Sequence, residues 1–109
     1  VHRTLIVARM LPDTAGKIAA VFTDADHHSG LPDALGVRAR TLFRFGELYL
    51  HLVESDGPLD EAVAEHRHDP RFTRISEDLR PFVTPYDPAT WREPKDAMAH
   101  EFYRWERHG

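Results

Sequence analysis

The chain has no cysteine among its 109 residues. That excludes a disulfide framework, a thiolate nucleophile and any cysteine-held zinc or iron–sulfur site. It also fits a reducing compartment, so a cytoplasmic protein is expected. Long apolar runs are missing too: nothing approaches the roughly 20 apolar residues of a membrane span. The first residues lack the charged-then-apolar pattern of a secretory signal. Val1 in first place reads as an initiator methionine removed or left out. Clustered basic charge is absent as well. Acids and bases mix along the chain and the formal net charge is −4, whereas phosphate binding needs a basic patch. Neither nucleic acid nor an anionic membrane is an expected partner.

What is present suits a globular domain: 41% of residues are hydrophobic and 29% charged. One domain over residues 1–109 is expected. Leu5-Ile6-Val7-Ala8 predicts a strand over about Arg3–Met10, buried on both faces. Pro12-Asp13-Thr14 is a turn able to start a helix. Ile18, Val21, Phe22 and Ala25 recur at helical spacing, and that helix is expected to end near Asp24 or Asp26. His27 to Pro32 reads as a loop. Two β-rich runs, Arg38–Phe45 and Leu48–Ser55, flank Gly46-Glu47, a pair suited to a type II′ hairpin turn. Leu59, Ala62, Val63 and His66 share a helical face, and Asp69-Pro70 caps and restarts a helix carrying Phe72, Ile75 and Leu79. Phe82-Val83-Thr84 predicts a short edge strand, and Ala97–Trp105 a C-terminal strand. The order is β-α-β-β-α-β plus an extension. That is the α+β, ferredoxin-like plan of an antiparallel sheet with helices on one face. Strands apolar on both sides need a second cover, and in so short a chain the simplest is a second copy, a homodimer.

The hairpin turn sets the register. A two-residue turn places Phe45 opposite Leu48, Arg44 opposite Tyr49, Phe43 opposite Leu50 and Leu42 opposite His51, with Arg40 opposite Val53. Alternation then sends Thr41, Phe43, Phe45, Leu48, Leu50 and Leu52 to one face. Arg40, Leu42, Arg44, Tyr49, His51 and Val53 share the other. Covered, that second face lines a cavity with its charged groups; uncovered, it is a mixed solvent face with snorkelling arginines. The histidines of His66-Arg67-His68 fall on different sides of a helix, which argues against a metal pair.

Several segments resemble the tetracenomycin-type polyketide cyclase family. They are Leu35-Gly36-Val37-Arg38-Ala39-Arg40-Thr41-Leu42-Phe43-Arg44-Phe45, Leu48-Tyr49-Leu50-His51-Leu52, Leu79, Thr84-Pro85-Tyr86 and Phe102-Tyr103-Arg104-Trp105. The resemblance runs nearly end to end, with the motifs in order. It implies a dimeric α+β barrel, no metal and no organic cofactor, and an aromatic polyketide intermediate as substrate, with other polyketide synthase components as further partners. It also implies an intramolecular aldol-type ring closure followed by aromatisation. Within that family an arginine on the second strand, a histidine on the third and a His-Asp pair after the first helix belong to the site. Arg40, His51 and Asp26 match; Ala25 stands where the paired histidine is expected, and His27 and His28 follow instead.

On this reading Arg40 stabilises an oxyanion, His51 transfers protons and Asp26 orients a histidine or acts as base. Tyr49, Arg44, His27 and His28 are the candidate substrate contacts. Each has a plainer alternative: His51 as a satisfied sheet histidine, Arg44 as a structural residue near the hairpin end, His27 and His28 as loop residues. Trp91, Tyr103 and Trp105 read as core or dimer contacts. Rival functions are a cofactor-independent anthrone-type monooxygenase and a non-catalytic polyketide-binding chaperone. An RNA-recognition module fits poorly, because Thr41–Gly46 lacks the glycine–aromatic spacing of that motif.

Overall fold

A computed structural model describes residues 1–107. Strand β1 (His2–Met10) leads through the Asp13 turn into helix α1 (Ala15–His28) and a short helix α2 (Leu31–Leu35). The hairpin β2 (Val37–Phe45) and β3 (Leu48–Ser55) follows, then α3 (Leu59–His66), α4 (Pro70–Leu79) and the edge strand β4 (Val83–Pro85). A short 3-10 turn, Pro94–Ala97, precedes the tail. The sheet order is β2-β3-β1-β4, and each pair is antiparallel. This is the expected α+β, ferredoxin-like arrangement.

The hairpin register is the one its sequence dictates: Phe45 pairs Leu48, Arg44 pairs Tyr49, Leu42 pairs His51 and Arg40 pairs Val53. Gly46 has φ 59° while Glu47 stays at negative φ, as a type II′ turn requires. Alternation along β3 is strict, with Tyr49, His51, Val53 and Ser55 buried and the residues between them half-buried. The buried face packs under the helices. Ala8, Met10 and Tyr49 meet Ile18 and Phe22 of α1, Leu31 of α2 and Ile75 of α4. Val53 meets Leu59 and Val63 of α3. Helix α4 starts as its sequence requires, with the Asp69 carboxylate accepting from the Arg71 amide and Pro70 in the first turn.

Four expectations need correction. Helix α1 does not stop at Asp24 or Asp26; it runs to His28, so both histidines belong to its last turn rather than to a loop. The end comes where Ser29 N–H and Oγ both donate to the Ala25 carbonyl and Gly30 turns left-handed at φ 71°. Leu31 and Pro32, expected as the end of that loop, instead open α2, because Pro32 is tolerated in a first turn. Strand β1 is not buried on both faces within this chain: Leu5 and Val7 stay half-exposed opposite the helix side. The Ala97–Trp105 segment is not a strand. It makes one bridge to β1, Met98 opposite Ile6, in which the Ala99 N–H donates to the Leu5 carbonyl. Beyond that its aromatics find no face in the single chain, and Phe102 is 92% exposed. Trp91, Tyr103 and Trp105 are likewise exposed and form no part of the core.

Candidate active site

Helix α1 and strands β2 and β3 converge on one polar cluster. Asp26 lies one helical turn after Phe22, so both reach the same side of α1. Arg40 and His51 lie diagonally across the hairpin on its helix-facing side. The Arg40 guanidinium donates to both Asp26 carboxylate oxygens, Nε to Oδ2 at 3.0 Å and Nη2 to Oδ1 at 2.9 Å. Its Nη1 stands 3.0 Å from His51 Nε2. His51 Nδ1 stands 3.1 Å from the Tyr49 hydroxyl. The face is therefore covered around Arg40 and His51, while Arg44 at its hairpin end stays exposed. His51 is 5% exposed and the Arg40 side chain 14%.

The hydrogens in this chain follow from valence. A guanidinium only donates, so His51 Nε2 accepts. The neutral ring then carries its hydrogen on Nδ1, which donates to the Tyr49 oxygen. Burial, and secondarily the Arg40 charge, lower the His51 pKa to about 3, so the ring is neutral at pH 7. Burial also pushes the Tyr49 phenol up, well above its ordinary value, so it stays protonated. Three of the five guanidinium N–H groups of Arg40 are engaged, and one remains on each terminal nitrogen. Those two donors, beside a neutral imidazole, suit a developing oxyanion.

Phe22 is a site residue that pattern reading leaves in the core. Its ring meets His51 edge-on at 5.1 Å, and the Arg40 guanidinium sits 4.6 Å over it. The available signal was its position four residues before Asp26, on the same helix face.

The other candidates lie elsewhere. At about 100° per residue, Asp26 and His28 fall on opposite sides of α1. His28 instead lines a cleft of about 440 Å³ between α1 and α4, with Val21, Ala25, Arg71, Arg74 and Ile75. His27 is exposed and hydrogen-bonds to none of the cluster. Arg44 is exposed near the hairpin end, with no ion-pair partner among the described residues. Among the described residues no group of three or more His, Asp or Glu could hold a metal ion. No helix among them is long and apolar enough to cross a membrane.

A family model described as polyketide synthesis cyclase matches residues 2–106. The chain belongs to the polyketide synthesis cyclase family. As a member it is an enzyme, and its role is that of a type II polyketide cyclase. It is 43% identical over 106 residues to the polyketide synthase CurG of Streptomyces cyaneus, covering 97% of this chain and 98% of that one. It is 41% identical over 104 residues to the tetracenomycin F2 cyclase of Streptomyces glaucescens, covering 95% and 94%. An uncharacterised protein of Streptomyces coelicolor is 53% identical over 107 residues, covering 97% and 96%. The solved structure of the tetracenomycin F2 cyclase, a type II polyketide cyclase, superposes with a TM-score of 0.90 at 40% identity, covering 99% of this chain and 100% of that one. A putative antibiotic biosynthesis monooxygenase from Chloroflexus aurantiacus has a TM-score of 0.58 at 14% identity, covering 98% and 95%. That likeness shows a shared fold alone and does not favour the monooxygenase reading.

Proposed function

We propose that this cyclase closes a ring on an aromatic polyketide by an intramolecular aldol step followed by dehydration or enolisation, without a metal or organic cofactor. The observation that carries the reading is the hydrogen-bonded series Asp26–Arg40–His51, which runs from the exposed Asp26 through the half-buried Arg40 to the buried His51. A carbon between two carbonyls loses its proton readily, so the enzyme's tasks are to fold the chain, hold an enolate and move a proton. Arg40 offers its two free N–H groups to the enolate oxygen. Asp26 fixes the guanidinium from behind through two bonds. An enolate beside Arg40 offsets the positive charge that depresses His51, which makes Nε2 a better base as the anion forms. Holding nucleophile and carbonyl together supplies much of the rate.

His28 in the α1–α4 cleft, His27 beside it and Arg44 at the hairpin end are proposed contacts for the rest of the polyketide. Ala25, which also lines that cleft, supplies no acid or base there. The open sheet face supports a homodimer: Phe43 and Phe45 are exposed and Leu48, Leu50 and Leu52 half-exposed on it. We place the dimer in the cytoplasm, working beside other polyketide synthase components.

The test is product analysis after feeding a partly cyclised poly-β-ketone, tetracenomycin F2 among the probes, to the wild type, Arg40→Ala and His51→Ala. New ring product from the wild type, lost in both variants and formed without oxygen uptake, is the expected result. Full turnover in both variants would sink the site assignment. Stoichiometric oxygen consumption would replace the aldol reading with an oxidation. Unchanged ring-product ratios in variants that bind less polyketide would point to a chaperone.

A further inference from the structure

Tyr49 is buried, 6% exposed, and has no part in the ring closure described above. Its hydroxyl touches the one imidazole of the site. Resting on the cyclase reading above, we infer that Tyr49 is a positioning residue: its oxygen holds Nδ1–H of His51 in both the neutral and the protonated ring, so that Nε2 is the nitrogen that exchanges protons with substrate.

The geometry supports this in three steps. Arg40 can only donate, so it assigns the resting ring hydrogen to Nδ1, and Tyr49 is then the acceptor. When Nε2 takes a proton from the carbon between two carbonyls, the C–H bond breaks, an Nε2–H bond forms and the ring becomes an imidazolium with two hydrogens to place. The Nδ1 hydrogen already has its acceptor in Tyr49; on the other side of the ring the Arg40 Nη1–H must leave the Nε2 lone pair as the proton arrives, and it turns to the enolate oxygen that forms. The enolate carbon then attacks the distant carbonyl. A C–C bond forms, the carbonyl π pair becomes an alkoxide, and Nε2 returns its proton to that oxygen. Electrons and protons balance with no outside reagent.

The surroundings leave no substitute for Tyr49. From α1, Phe22 meets the ring edge and Asp26 stands behind Arg40. From β1, the residue paired with His51 is Ile6, which has no polar side-chain atom. Arg40 on β2 is the one charged group hydrogen-bonded to His51 among the described residues. A protonated ring without the phenol oxygen would leave a buried donor unpaired.

Two measurements test this. Nitrogen-15 NMR of histidine-labelled wild type at pH 7 should show His51 with Nδ1 protonated and Nε2 bare; a protonated Nε2 overturns the inference. This arm needs no turnover, so it stands or falls apart from the cyclase reading. In Tyr49→Phe, kcat on the polyketide that the wild type cyclises should fall roughly 10-fold, with KM within about twofold. The pH at which His51 protonates should fall by about 1 unit, the same factor read as an equilibrium. An unchanged kcat, or a raised KM at constant kcat, overturns the positioning role, the second because it makes Tyr49 a substrate contact. Should Tyr49→Phe fail to fold, the wild-type NMR result alone decides.

Discussion

Nη1 of Arg40 donates to Nε2 of His51 across 3.0 Å, so a fixed positive charge sits on the lone pair that the site would use as a base. Burial is the larger cause of the low His51 pKa and the Arg40 charge the second. Arg40→Met should therefore raise that pKa from about 3, while leaving it below the ordinary value because the ring stays buried. A histidine NMR titration reads the change. Turnover should fall roughly 100-fold or more, since an oxyanion donor is lost. A pKa that does not move would mean the guanidinium is not seated on the ring.

His51 also ties stability to pH. A histidine whose pKa is depressed on folding takes up its proton more readily in the unfolded chain. Stability is thus undiminished above the unfolded value of 6.5 and falls as pH drops toward about 3. The slope from this one group is at most about 1.4 kcal/mol per pH unit. Denaturant unfolding between pH 6.5 and 5, above most carboxylate titration, should show that slope in the wild type and a flatter one in His51→Gln. Parallel slopes would show that His51 is not the group responsible.

Phe22 links the core to the site. Phe22→Leu keeps most of the apolar volume but removes the flat face under Arg40 and the edge against His51. The cost in stability should be small, about 1 kcal/mol. Turnover should fall more than that stability loss explains, because guanidinium and imidazole lose their shared support. Chemical denaturation paired with steady-state kinetics separates the two effects.

The open sheet face predicts association. Phe45, 75% exposed, should lie in a contact between copies. Phe45→Glu combined with Phe43→Glu should convert a dimer to monomer in sedimentation velocity, with the helix-side core intact by circular dichroism. A wild type that sediments as a monomer at tens of micromolar would remove the basis for this assembly.

Much of the architecture was legible in the chain. Gly46-Glu47 between two β-rich runs dictated the turn, and the turn dictated every pairing from Phe45 with Leu48 to Arg40 with Val53. Asp69-Pro70 marked a helix start through its own local chemistry. The misreadings differ in cause. The end of α1 and the start of α2 are set locally, by Ser29 on the Ala25 carbonyl, Gly30 and Pro32; the cover of β1 and the single bridge of the Ala97–Trp105 segment turned on partners distant in sequence.

The site divides along the same line. Parity along the hairpin put Arg40, Tyr49 and His51 on one face, because side chains in a strand alternate whatever lies above them. It could not say whether that face was dry. Only packing decided this, by laying α1 across it so that Asp26 reached Arg40 and Phe22 reached His51. Helical phase then turned His28 to the opposite side, into the cleft against α4. Residue order alone could not rank Asp26, His27 and His28, which are neighbours in the chain. Their separation arises from the 100° step of the helix and the side of it that the sheet covers.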